Sequence, residues 1–143
     1  MRAIGLDVGN KRIGIAVSDA MGWTAQPLTV YRRKGEAEDI AALCELIAGQ
    51  QADVLVIGLP KSMDGSLREQ ALLTQAFGEK LAAGCGLEPV WWDERMTTNM
   101  AHQVLIQADV SRKKRKNVVD KIAAVFILQN YLDYLSMQPQ KTK

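Results

Sequence analysis

The stretch Ala3-Ile4-Gly5-Leu6-Asp7-Val8-Gly9-Asn10-Lys11-Arg12-Ile13-Gly14-Ile15-Ala16-Val17-Ser18 decides the fold of this chain. Two short apolar runs, residues 3–8 and 13–18, flank Gly9-Asn10-Lys11-Arg12, and turn chemistry between β-rich runs signals a hairpin. Residues 24–31 supply a third antiparallel strand, which Pro27 restricts to an edge or an irregular course. Beyond it the period changes. Ile40, Leu43, Cys44 and Ile47 stand at helical offsets and predict a helix over 36–51. Val54-Leu55-Val56-Ile57-Gly58 is apolar throughout, as a buried central or parallel strand is.

A helix is expected from residue 66 to about 83, with Leu73, Phe77 and Leu81 on one face and Gly84 and Gly86 as its stop. A short strand at 89–92 follows. Thr97 or Thr98 then caps a short helix that carries Ala101, Val104 and Leu105 inward. Residues 107–117 read as a polar, basic loop, and Asn117 opens a long helix with Ile122, Val125, Phe126, Leu132 and Leu135. The order β-β-β-α-β-α-β-α-α predicts an α/β fold. Three antiparallel strands and then parallel strands form one mixed sheet, flanked by helices on both faces. One domain is expected over residues 1–136, with 137–143 as a disordered tail.

Composition narrows the classes. With 143 residues, 48% hydrophobic and 24% charged, the chain is long enough for a proper core and is not globally disordered. A formal charge of +2 excludes an overall polycation, so attraction to nucleic acid must lie in how charge is distributed. Cys44 and Cys85 lie far apart in different predicted elements, without metal-ligand spacing or a disulfide framework. They read as small hydrophobes or thiols of a reducing compartment. With no signal-peptide architecture and no apolar run near the ~20 residues a bilayer requires, a soluble, cytoplasmic protein is expected, with no membrane partner.

Three acids carry the functional reading: Asp7 near the end of the first strand, Glu94 just after the last strand, and Asp120 in the first turn of the last helix. An isolated charge beside apolar runs is costly unless something pairs with it. Strand ends and a helix terminus converge on one crevice in open α/β sheets. Three carboxylates there suit one or two Mg²⁺ or Mn²⁺ ions, which would activate water for phosphodiester cleavage. Each acid also has a plainer reading. Asp7 before Gly9 can open a turn, Asp120 suits a helix N-terminus, and Glu94 can pair with Arg95 or cap the next helix. One metal site accounts for all three at once. Asp93 and Asp19 are weaker candidates, the first pointed away from Glu94 by strand alternation and the second suited to a turn.

Arg112-Lys113-Lys114-Arg115-Lys116 places five positive charges directly before the helix that bears Asp120. Such a run is a solvated loop or a phosphate contact, and its place beside the acids favours phosphate. Lys11 and Arg12 extend the same surface, whereas Arg32, Arg33 and Lys34 read as ordinary surface. Arg95 either holds a phosphate bidentately or neutralises Asp93. His102 is the only histidine, so metal-activated water is favoured over histidine chemistry. Trp91 and Trp92 face opposite ways on a strand, one toward the core and the other a candidate base-stacking ring.

Four blocks together give the chain a family resemblance. They are Asp7-Val8-Gly9-Asn10-Lys11-Arg12-Ile13-Gly14 with Ala16-Val17-Ser18-Asp19; Gly58-Leu59-Pro60 with Met63-Asp64-Gly65-Ser66; Asp93-Glu94-Arg95-Met96-Thr97-Thr98; and Asp120 with Ala123-Ala124 and Ile127-Leu128-Gln129. From Ile4 to about Leu132 the sequence resembles the YqgF (RuvX) family of the RNase H-like superfamily. The resemblance implies an RNase H-like fold and a nuclease, with Asp7, Glu94 and Asp120 at the family's acidic metal-binding positions. It implies structured RNA as substrate, namely the 5′ end of pre-16S ribosomal RNA, and a ribosomal particle as partner. The same family has also been linked to Holliday junctions, and a four-way DNA junction would favour a homodimer over a monomer. A non-catalytic RNA-binding factor of ribosome assembly is a third reading. An ATP-dependent phosphotransferase is disfavoured, because one lobe without a repeat cannot close over ATP.

Overall fold

A computed structural model describes residues 1–60, 68–93 and 112–137, with side chains in the last segment from residue 122. Strand β1 (Ala3–Val8) is buried on both faces, which requires a strand on each side and a layer above and below. Strand β2 (Arg12–Ser18) pairs with it antiparallel, Asp7 opposite Gly14, and β3 (Ala25–Arg32) pairs antiparallel with β2 at the edge. Strand β4 (Val54–Leu59) runs parallel to β1 on its other side, and β5 (Pro89–Asp93) runs parallel to β4. The sheet order is β3-β2-β1-β4-β5. The register slips between Ile15 and Ala16, where Pro27 lies opposite, because proline has no N–H to give the ladder.

Helix α1 (Glu36–Gly49) and helix α2 (Glu69–Cys85) cover one face, where Ile4, Leu6, Val8, Ile13, Ile15, Leu55 and Ile57 meet Leu43, Ile47, Phe77 and Leu81. Helix α3 (Arg112–Met137) covers the other, packing Ala124, Ile127, Leu128 and Leu132 on Ala3, Ala16 and Val56. Gly86, left-handed at φ 71°, ends α2, and Leu87 N–H returns to the Ala82 carbonyl at 3.0 Å.

The strands and helices α1 and α2 lie where the sequence pattern predicts them, and the inward faces of α2 and α3 agree in part: Phe77, Leu81 and Leu132 are buried as expected. Leu73 points out, 57% exposed, while Ala71, Thr74, Phe77, Gly78 and Leu81 face in. A Cβ on Gly78 would lie 2.5 Å from Trp91 Cη2, so this helix is rotated to bring its bare position against the tryptophan. On α3, Ala123, Ala124, Ile127 and Leu128 are buried, Ile122, Val125 and Phe126 are only half-buried, and Leu135 is exposed. The basic run 112–116 belongs to α3 rather than to a loop, since Lys and Arg are good helix formers and no Gly or Pro interrupts the segment. The predicted short helix after Thr97 or Thr98, the polar loop 61–65 and the tail beyond Met137 lie outside the described residues.

The two cysteines are free thiols, as expected, but the fold brings them together. They are 41 positions apart, yet α1 and α2 bring their sulfurs to 3.0 Å. Burial and then Cys44 itself push the Cys85 thiol up to about 12, so Cys85 stays protonated at neutral pH. Glutathione disulfide is expected to convert the pair to a protein disulfide, with two glutathione thiols released and an α1–α2 linked peptide seen on a non-reducing map. Closing that loop restricts the unfolded chain by about 4 kcal/mol on the loop-entropy scale, so oxidation should raise Tm. Two thiols still titratable after the treatment would contradict this packing.

Candidate active site

Along β1, Ile4, Leu6 and Val8 face α1 and α2, so Ala3, Gly5 and Asp7 face α3. Asp7 is half-buried, and its carboxylate makes no hydrogen bond or ion pair to the described residues. Its partner on β2 is Gly14, and on β4 the residue after Ile57, the partner of Leu6, is Gly58. No side chain therefore flanks the carboxylate on either neighbouring strand. The turn beyond it is tight. Gly9 N–H donates to the Arg12 carbonyl at 2.8 Å, and a Cβ on Gly9 would lie 2.8 Å from that same oxygen.

Helix α3 is docked closely over this strand. A Cβ on Gly5 would lie 2.8 Å from Leu128 Cβ and 3.1 Å from the Ala124 carbonyl oxygen. Farther along α3, the Gln129 side chain accepts from Ala25 N–H at 2.8 Å and donates to the Trp23 carbonyl at 3.1 Å. Ala25 pairs with Ser18, whose Oγ accepts from Ala3 N–H at 2.8 Å, so the later turns of α3 lie over the start of β1. Its earlier turns run toward the end of β1, where Asp7 stands. Position 120 is one turn before Ala124, on the same helical face.

Of the other residues singled out from sequence, Glu94, Arg95 and His102 lie outside the described residues. Glu94 directly follows Asp93, which ends β5 opposite Leu59. Among the described residues no three His, Cys, Asp or Glu side chains stand together as a metal site. Lys11 is exposed on the hairpin turn, and Arg12 is half-buried and engaged. Arg112, Lys113, Lys114, Arg115 and Lys116 form the opening turns of α3. Both tryptophans pack: Trp91 against Gly78, and Trp92 edge-on to Tyr131 at 5.9 Å and Tyr134 at 5.7 Å. Asp19 serves a turn, as expected, accepting from Trp23 N–H at 2.8 Å.

The sequence reading missed a buried network behind the turn. Asp39, fully buried on α1, accepts from Arg33 Nε at 2.9 Å, Lys34 N–H at 2.9 Å, Tyr31 Oη at 3.0 Å and Gly35 N–H at 3.3 Å. Arg33 also donates to the Gly9 carbonyl at 3.0 Å and lies 4.5 Å over the Phe77 ring. Far from being ordinary surface, Arg33 links α1 to the turn two residues beyond Asp7. The visible clue was an acid in the first turn of a helix whose N-cap, Gly35, brings no side chain to its own orphan amides.

A mixed sheet of order β3-β2-β1-β4-β5 with helices on both faces, and an acid at the end of its central strand, defines the class: this is the RNase H-like fold of nucleases and resolvases. The chain belongs to the family described as "RuvX: Holliday junction resolvase", whose model matches residues 1–134. A relative from Moorella thermoacetica, named "Putative pre-16S rRNA nuclease", is 52% identical over 135 residues, covering 94% of this chain and 96% of its own. One of the same name from Shouchella clausii is 53% identical, with 93% and 95% covered. Among solved structures, T. thermophilus RuvC with Holliday junction substrate superposes with a TM-score of 0.59 at 13% identity, covering 96% of this chain and 97% of that one. The fowlpox virus Holliday junction resolvase gives 0.60 at 11%, with 94% and 99% covered. These two structures establish the fold, and the family and its close relatives make the chain a nuclease, a hydrolase of phosphodiester bonds.

The Asp39 network gives a pH signature. Burial drives the Asp39 carboxyl upward, but the donors from Lys34, Arg33, Tyr31 and Gly35 outweigh it and hold it below its usual value. A depressed carboxyl contributes stability that is complete above the unfolded value near ~3.9 and disappears as pH falls through the lower folded value. Denaturant unfolding followed from neutral to acid pH should show this loss, and Asp39→Ala should flatten that limb. At neutral pH the variant should be destabilised by about 3–5 kcal/mol, because Arg33 is left without its buried partner. An unchanged acid limb in Asp39→Ala would show that the network contributes nothing.

Proposed function

We propose that the protein is a divalent-metal-dependent nuclease that matures the 5′ end of pre-16S ribosomal RNA, with Asp7, Glu94 and Asp120 as its metal ligands. The observation that carries this reading is Asp7, a half-buried carboxylate with no partner among the described residues. A group so placed calls for a cation. Carboxylate oxygens are hard donors that suit Mg²⁺ or Mn²⁺, and such an ion supplies activated water and charge stabilisation at the leaving oxygen. The course of α3 supports Asp120 as the second donor. Val90 and Trp92 pack against the α3 side of the sheet, and residue 94 has the same parity, which supports Glu94 as the third.

Helix α3 opens with five cations and has no acid in its first turn, although a helix N-terminus already carries partial positive charge. Such an arrangement is unfavourable alone and suited to an anion, so Arg112, Lys113, Lys114, Arg115 and Lys116 are assigned to the phosphate backbone. Lys11 and Arg12 on the hairpin, with Arg95, extend that contact. RNA rather than DNA is preferred because the close relatives carry the rRNA name. The reading includes one domain through residue 136, a cytoplasmic location, a ribosomal particle as partner and a monomeric or homodimeric state. A four-way junction is the second reading, favoured by the family's own description.

A 5′-extended 16S precursor and a four-way DNA junction, incubated with Mg²⁺, Mn²⁺ or EDTA, test both readings. The precursor is expected to be cut only with metal. Asp7→Asn should lose more than the ~10–100-fold that removal of an outer-shell partner costs a metal site. Preferential cutting of the junction would favour the resolvase, and metal-independent binding of RNA without cutting would favour an assembly factor.

A further inference from the structure

We infer that the β2–β3 turn, residues 19–24, is a docking surface for a basic protein of the ribosomal particle, with Trp23 as its anchor. The inference rests on the ribosomal reading above and concerns the end of the sheet remote from Asp7. Met1, Met21 and Trp23 are 46%, 68% and 71% exposed. They belong to one patch, since Met1 Cε lies 2.8 Å from where a Cβ on Gly22 would stand. Large apolar side chains gathered on a surface and rimmed by polar ones mark a site of association. Tryptophan is enriched among the residues that dominate protein interfaces.

The backbone beneath Trp23 is fixed. Its N–H donates to Asp19 Oδ1 at 2.8 Å, and Thr24 Oγ1 donates to Asp19 Oδ2 at 3.2 Å. Gly22 N–H donates to the Asp19 carbonyl and Asp19 N–H to the Thr24 carbonyl, both at 3.1 Å. From helix α3, Gln129 Nε2 donates to the Trp23 carbonyl at 3.1 Å. Gly22 takes the left-handed φ of 75° that closes the turn. So much anchorage displays a large side chain that the fold itself leaves out. A backbone ordered beforehand removes part of the entropy cost of association, as an interface anchor requires.

Charge selects the partner. Three side chains fall short of the ~800 Å² per partner of a standard interface, so the contact extends over what surrounds them. Around them stand Asp19, Asp53, which accepts from Arg2 N–H at 3.1 Å, and Asp133, which accepts from Gln129 Nε2 at 2.9 Å. The Trp23 N–H outweighs desolvation and holds the Asp19 carboxyl below its usual value, so this acid is charged at neutral pH. The N-terminal ammonium donates to the Ala20 carbonyl at 3.0 Å, and the Arg2 guanidinium is turned to the Gln50 carbonyl at 3.5 Å. A phosphate backbone would meet these acids with its own charge, and a second copy would set them against themselves across a two-fold. A basic protein with an apolar pocket matches both parts of the surface. Proteins seated on RNA are basic because they neutralise its phosphates. The cations Lys11, Arg12 and 112–116 lie toward the Asp7 end, so docking here leaves that end open to the RNA strand.

Co-sedimentation with small ribosomal subunits, and with the RNA extracted from them, tests this without any cleavage. The native chain is expected to bind the intact subunits more tightly than the extracted RNA. Trp23→Ala should lose about 30-fold in affinity for the subunits, the size of an interface hot spot, and bind the extracted RNA like the native chain. Its stability should be unchanged, because the side chain is exposed. Asp133→Lys gives a second variant: it should bind the subunits about fivefold more weakly at low salt, with the difference fading as salt rises. A native chain that does not sediment with the subunits, or Trp23→Ala binding them as tightly as native, would overturn the inference. So would an equal loss on the extracted RNA, tighter binding by Asp133→Lys, or a native dimer that Trp23→Ala dissociates. Docking with the expected pattern in a chain that cuts no precursor would keep the surface and remove the nuclease reading.

Discussion

The seating of α3 on β1 at Gly5 is the contact on which the rest depends. A Cβ there would collide with Leu128 and crowd the Ala124 carbonyl, so the helix sits as close to the strand as a backbone allows. Close approach of that kind needs a bare position on the strand, and on the helix the Ala124 carbonyl and the Leu128 Cβ close onto it. The contact sets how closely the helix that carries residue 120 is seated over the strand that carries Asp7. The proposed sharing of one ion by Asp7 and Asp120 depends on that seating.

A second constraint works from the opposite face. Asp39 collects donors from the end of β3 and the connection into α1, and Arg33 passes that anchorage to the Gly9 carbonyl. The hairpin turn is thereby held from beneath while α3 holds the strand from above. A carboxylate with no partner among the described residues, at the end of a clamped strand, suits the proposed metal site, because ligand geometry must be set before the ion arrives. The same clamp fixes Arg33 over Phe77, so one network ties the turn beside Asp7 to the packing of α2.

Much of this was legible in the residues, and the gaps have physical causes. The hairpin follows from Gly9-Asn10-Lys11-Arg12 between two apolar runs, and Val54 to Gly58 reads as a central strand because both of its faces are apolar. Strand parity alone places Asp7 on one face. Leu73 on α2 and Ile122, Val125, Phe126 and Leu135 on α3 are less buried than expected, because hydrophobic size is a poor guide where a glycine lets the partner approach. Gly78 under Trp91 turns Leu73 out, and Gly5 under α3 favours alanines over Ile122 and Val125. Asp39 escaped notice because its donors come from several residues before its own helix, a pattern with no periodicity. The nearness of Cys44 to Cys85 is equally tertiary, set by how α1 crosses α2.

The central claim is that Asp7 shares a metal ion with Glu94 and Asp120. Crystals soaked in Mn²⁺ and measured at its absorption edge would test it most directly. The account predicts an anomalous peak about 2.0–2.2 Å from a carboxylate oxygen of Asp7, with Glu94 or Asp120 completing the protein ligands and the peak absent in Asp7→Asn. Manganese bound only elsewhere, or Asp7 left unliganded at saturating metal, would contradict it.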